Sequence, residues 1–166
     1  MKIALDTNCF IDAMNQQSPS HTAMQRILIA QAARQVDIHV SLHTLHELEQ
    51  KPDAALDLAR GFQLLPYWPI GTIKELVGTI SQATGTFDDI RRNDVIQQEL
   101  ESLAKAGNDI RDRGAYIDAL RASMDIFVTS DTHLAGKDQA QRILDRFHMR
   151  IVRPDEAASI IGQHSL

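Results

Sequence analysis

The sequence predicts an α/β fold in which a parallel sheet is covered by helices on both faces. Three observations carry this. Short runs rich in strand-forming residues, such as Ile126-Phe127-Val128-Thr129, alternate with stretches whose small and apolar residues recur at helical spacing. The 126–129 run is short and apolar, which suits a strand covered on both faces. Capping and turn residues separate the two kinds of segment, and no repeat, low-complexity tract or linker interrupts them. Strands alternating with helices in this way build a three-layer α/β/α sandwich.

Taken in order, Lys2-Ile3-Ala4-Leu5 reads as the first strand and Cys9 to Asn15 as a short helix. Ser18-Pro19-Ser20 is a start signal for a longer helix, His21 to Gln35, with Met24, Ile27, Leu28 and Ala32 facing inward. The second strand is Asp37 to Ser41. Leu42 to Gln50 is helical and stops before Pro52; Asp53 caps a helix running through Arg60, which Gly61 ends. Phe62 to Leu65 is a shorter third strand. Pro66-Tyr67-Trp68-Pro69 forms a rigid aromatic loop, its rings suited either to packing beneath the loop or to stacking on bases. Thr72 to Ser81 and Asp89 to Lys105 read as two helices joined by a turn-rich ATGTFDD, and Gly107 stops the second. Asn108 or Asp109 can cap the next helix, on which Ala115, Tyr116, Ala119, Leu120 and Ser123 share one face. After the strand at 126–129 come a helix from His133 to Phe147, a strand from Met149 to Val152, and a short helix from Pro154 to about Gly162.

A chain of 166 residues suits one domain with a substantial core. Its 43% hydrophobic and 23% charged residues are ordinary for a globular protein. No apolar run approaches the ~20 residues of a membrane span, and the first residues lack a signal-peptide pattern, so neither membrane insertion nor export is expected. The single cysteine, Cys9, precludes an internal disulfide, fits a reducing cytoplasm and reads as a small buried apolar residue. The net charge of -5 runs against the basic balance usual in nucleic-acid binders. However, Lys137, Arg142, Arg146, Arg150 and Arg153 outnumber Asp138 and Asp145 in one stretch, either a local basic face or an ordinary solvated helix.

The chemistry-bearing residues follow the strands. Asp6 directly succeeds the first strand, Asp131 succeeds 126–129, Glu47 rides the first turns of the helix after the second strand, and Asp112 sits near the start of the helix before 126. In a parallel sheet such positions converge outside the carboxyl ends of the strands. Two unit charges ~4 Å apart repel by about 1 kcal/mol in water and ~4 kcal/mol at intermediate dielectric, so a cluster of four calls for a cation or a proton.

These residues carry a family resemblance. LDTN at the N-terminus resembles the opening signature of PIN-domain nucleases, SLHTLHEL their second motif, and DRGAYIDALRASMDIFVTSDTHL their third and fourth motifs, ending in the Thr-x-Asp loop. Order and spacing agree over nearly the whole chain. The resemblance implies a single PIN-like domain over 1–166 with about five parallel strands and a helical elaboration around 66–108. It also implies a metal-dependent nuclease acting on RNA or, in some branches, structured DNA. The small stand-alone bacterial members it resembles are VapC-type toxins, so a small antitoxin protein and a homodimer are implied partners. In this reading Asp6 and Asp131 ligate Mg2+ or Mn2+ directly. Asp112 is a ligand or holds a metal-bound water, and Glu47 holds a water or a second ion. Thr7, Asn8, Thr129 and Ser130 are supporting hydrogen-bond partners. Hard oxygen donors suit these ions, which can generate a nucleophile from water and neutralise a phosphate.

Other carboxylates and histidines are set aside. Asp118 follows Asp112 by about 240° of helical rotation and is expected to face solvent; Asp109 is expected to cap. His43 and His46 are spaced as a metal pair but lack the His-Glu-x-x-His order and any thiolate, and are expected at the surface. His133 either touches a phosphate or starts a helix. An aspartate-nucleophile phosphatase would want an acid where Asn8 stands, and no phosphate-binding glycine loop appears. A non-catalytic PIN-like scaffold remains the alternative outside enzymes, alongside a structure-specific DNA nuclease.

Overall fold

The computed structural model describes residues 1–51, 53–66, 96, 98 and 114–164. The 66–108 elaboration lies outside the described residues except for Pro66, Ile96 and Gln98, as do Asp109 and Asp112. Five strands form one sheet: β1 (Lys2–Leu5), β2 (Asp37–Val40), β3 (Gln63–Leu64), β4 (Ile126–Val128) and β5 (Arg150–Val152). Their order is β3-β2-β1-β4-β5, and every pairing is parallel. Among the described residues seven helices accompany them: α1 (Thr7–Met14), α2 (His21–Ala32), α3 (Leu42–Leu48), α4 (Asp53–Arg60), α5 (Gly114–Arg121), α6 (Lys137–Phe147) and α7 (Pro154–His164).

The period of two along the strands sorts the core into two layers. Ile3, Leu5, Ile38, Val40, Ile126, Val128 and Val152 point to one face and pack with Phe10, Met24, Ile27, Ala59 and Ile161 from α1, α2, α4 and α7. Ala4, Phe127 and Ile151 point to the other, where Tyr116, Leu120 and Ile143 from α5 and α6 cover them. Tyr116 meets Phe127 edge-on, ring centres 5.8 Å apart. Apolar cover on both faces explains why Ile3-Ala4-Leu5 and Ile126-Phe127-Val128 read as continuous hydrophobic runs. Cys9 is fully buried in the first layer. Among the described residues no helix is long and apolar enough to cross a membrane.

Local hydrogen bonding moves several boundaries. Ser41 leaves the second strand and caps α3, its hydroxyl accepting from the Thr44 amide at 3.0 Å. The α2 helix ends at Ala32 rather than Gln35 because Arg34 turns left-handed at φ 58° and Gln35 bonds back to Ala30. Ala32 is exposed, so the inward stripe is Ala23, Met24, Ile27 and Ala30, with Leu28 half-buried against the same core. The helix expected from His133 begins at Lys137, the preceding residues forming a turn beneath Asp131.

Helix α5 departs most from expectation. Every residue from Gly114 to Leu120 is buried, so it has no solvent face there. Asp118, expected in solvent, is 1% exposed. Ser123, expected on the apolar face, lies beyond the helix at φ 54° and is exposed. Gly114 permits the burial: a Cβ there would lie 2.5 Å from Nδ1 and 2.6 Å from Cδ2 of His43 on α3. Asp118 and Arg121 follow at i+4 and i+7 along the same stripe, facing the α3 side.

Candidate active site

The sheet hands its register to the site. The Asp6 amide donates to Val128 O and the Thr129 amide to Val152 O, both at 3.0 Å, continuing the ladder past the strand ends. Asp6 and Thr129 therefore emerge side by side at the carboxyl edge of β1 and β4. Asp6 is also the N-cap of α1. Its Oδ1 accepts from the Thr7 amide at 2.8 Å, and its Oδ2 accepts from Thr129 Oγ1 at 2.6 Å. Both carboxylate oxygens are thereby oriented by groups that other elements hold in place.

Thr129 does a second job. Its Oγ1 accepts from the Asp131 amide at 3.0 Å, which folds the loop back toward Asp6. The Asp131 carboxylate accepts from the His133 amide at 2.7 Å and, at the limit of a useful bond, from the Leu134 amide at 3.4 Å. Glu47 reaches from α3 to the same edge and accepts a hydrogen bond from Thr7 Oγ1. Thr7, Thr129 and Ser130 each bond a carboxylate, while Asn8 is exposed on the first turn of α1.

The electrostatics agree with this crowding. Burial raises the Asp6 pKa above its ordinary 3.8, the Thr129 and Thr7 hydrogen bonds pull it back, and the charges of Glu47 and Asp131 push it up again. Glu47 and Asp131 thus each lie within electrostatic reach of Asp6. Burial, then the negative charges of Asp6 and Asp12, raise the Cys9 thiol well above its usual value, and its Sγ lies 3.2 Å from Val128 O. Cys9 is a packing residue, as its burial statistics suggest.

Asp112 lies outside the described residues. Among the described residues no three His, Cys, Asp or Glu side chains approach closely enough to hold an ion as a set. The donors near Asp6 are carboxylates and hydroxyls, all hard oxygens, and the Asp6 pKa is raised chiefly by burial, with the Glu47 and Asp131 charges adding to it. Their chemistry fits Mg2+ or Mn2+.

One contributor escaped the sequence reading. Asp12, on α1, accepts from Ser130 Oγ at 2.8 Å and from Ser18 Oγ at 2.7 Å. Its one signal in the sequence is an acid embedded in the apolar run Cys9-Phe10-Ile11-Asp12-Ala13. Two of the groups set aside also differ from expectation. His43 is half-buried rather than at the surface, and burial, with the charges of His46 and Arg121, lowers its pKa. Among the described residues neither carboxylate oxygen of Asp118 has a hydrogen-bond partner, and burial pushes its pKa up to about 7 against the opposing pull of Arg121. Helical rotation gave an angle for Asp118 but did not reveal that other elements cover its side; Asp112, the reference for that angle, lies outside the described residues. In the basic stretch, Arg142, Arg146, Arg150 and Arg153 are exposed, with Arg146 donating to Gln98 at 2.7 Å.

No protein-family model matches the chain, and a search of curated proteins finds no match either.

Proposed function

We propose that the chain is a Mg2+- or Mn2+-dependent nuclease that hydrolyses phosphodiester bonds in RNA. The observation that supports this best is the state of Asp6. It is held through both carboxylate oxygens at the carboxyl edge of the sheet, with the charges of Glu47 and Asp131 acting on it. Asp6 and Asp131 would hold the ion, with Glu47 and, by the resemblance, Asp112 completing the acidic set. A bound ion supplies an activated water and neutralises charge on the scissile phosphate. The chain's own residues contribute position: Thr129 orients Asp6 and folds Asp131 toward it, and Thr7 tethers Glu47. Preorganised ligands of this kind lose little entropy when the substrate arrives.

In this reading the protein is a cytoplasmic toxin of a toxin–antitoxin pair, acts as a homodimer and is held in check by a small antitoxin protein. Unpaired RNA is the expected substrate, because splayed bases are what proteins read in RNA.

The deciding experiment is Mn2+-dependent cleavage of a mixed RNA pool and of branched DNA. Wild type, Asp6→Asn, Asp131→Asn and Asp118→Asn are compared. Wild type and Asp118→Asn should cut RNA; the two rim variants should fold and not cut. Cleavage confined to branched DNA assigns a structure-specific DNA nuclease. Wild type inert on both substrates makes the chain a scaffold. Asp6→Asn cutting as well as wild type overturns the mechanism.

A further inference from the structure

We infer that Asp12 is a positioning residue that fixes the loop carrying Asp131, and so sets where Asp131 stands relative to Asp6. The consequence for metal binding rests on the nuclease reading; the mechanical role rests on the geometry alone.

The loop 129–131 is pinned to α1 at two places. Thr129 Oγ1 bonds Asp6 at the N-cap, and Ser130 Oγ bonds Asp12 Oδ2 at 2.8 Å, six residues further along. At 1.5 Å per residue those anchors stand about 9 Å apart along the helix axis. A loop held at one point can pivot; held at two points on one rigid helix, it cannot. Asp131 follows directly, its amide bonded to Thr129 Oγ1.

Asp12 is itself immobilised. Its other oxygen accepts from Ser18 Oγ at 2.7 Å, and its backbone carbonyl lies 3.2 Å from His21 Nδ1. The α1–α2 connection thus holds the carboxylate on one side while Ser130 uses the other. Two hydroxyl donors call for two acceptor oxygens, which an aspartate provides, and hydrogen bonds to a charged acceptor are the stronger kind. Through the Oδ2 bond to Ser130 Oγ, Asp12 acts on the loop rather than on the rim directly.

The test uses the full chain, metal-free and then titrated with Mn2+. Variants are Ser130→Ala, Asp12→Ala, the double variant, Ser130→Thr as the conservative rescue, and Ser159→Ala as a distant control. In the metal-free protein, amide exchange at Asp131 and His133 should quicken about tenfold or more in Ser130→Ala and Asp12→Ala. The double variant should be no faster than the faster single, and Ser130→Thr and Ser159→Ala should match wild type. Mn2+ dissociation constants should rise about 10- to 100-fold in the first three variants. If Asp12→Ala fails to fold, Ser130→Ala still decides, since it removes only the loop-side bond. Unchanged exchange at residues 131–134 in Ser130→Ala overturns the proposal. Wild type that binds no Mn2+ overturns the metal-dependent reading instead, while the exchange comparison still settles whether Asp12 holds the loop.

Discussion

Asp118 should make the protein less stable as pH rises from 4 to 8. Asp118 is 1% exposed, its oxygens have no hydrogen-bond partner among the described residues, and its folded-state pKa is about 7 against 3.8 for the ordinary group. A raised acid pKa means that the folded state binds the proton more tightly than the unfolded state. Its stabilising contribution is therefore complete below pH 3.8 and is lost as pH climbs through 7. One pKa unit is worth 1.36 kcal/mol, so the full excursion corresponds to about 4 kcal/mol. Solvent screening around the part-exposed Arg121 brings the expected change to about 2–4 kcal/mol. Asp118→Asn isolates the effect from every other titrating group. At pH 4 the protonated acid and the amide are close in polarity, and the two proteins should differ little. By pH 8 the variant should have gained about 2–4 kcal/mol on wild type. Urea denaturation at each pH, with a chelator present, measures the gap. A gap that stays constant from pH 4 to 8 would refute the reasoning and mean that Asp118 is solvated or paired when ionised.

Two further outcomes follow from the same packing. Gly114→Ala forces a methyl into the His43 ring; overpacking costs about 1–3 kcal/mol against a helix-propensity gain of up to about 1 kcal/mol, so the melting temperature should fall by up to about 8 °C. Adding His43→Ala should recover part of that loss, and a double variant showing simple additivity of the two single losses would break the claimed contact. Cys9, fully buried and with its thiol held protonated, should react with a thiol reagent only as fast as the protein unfolds; prompt labelling of the native protein would contradict its burial.

The central strands β1 and β4 were legible because burial on both faces keeps them apolar, whereas β2 carries the polar His39 in its middle and the two residues of edge strand β3 are exposed. Asp6 and Asp131 were legible because each follows such a run directly. Helix ends shifted where a side chain competed with the backbone: Ser41 became a cap, and the turn under Asp131 delayed α6. Asp118 was misread for a geometric reason. Helical periodicity gives the angle between residues but not what surrounds the helix, and α5 is buried on all sides through Leu120. The close approach of Gly114 to His43 leaves no pattern in either local sequence. Asp12 escaped because its partner Ser130 is 118 positions away, and hydrogen bonds of that range leave no periodic trace.

The sheet order also has a consequence in time. Ile3 pairs with Ile38 on one side and with Ile126 on the other. Chains emerge from the ribosome N-terminus first at about 5–20 residues per second. The β1–β2 pairing, and with it the Thr7–Glu47 bond, therefore becomes possible several seconds before β4 exists, on the order of 4–18 s at those rates. Until β4 docks beside β1, Thr129 cannot reach Asp6 and Asp131 has no place at the rim. A nascent chain thus holds half an acidic site without the other half, and the last central pairing of the sheet is the event that assembles it.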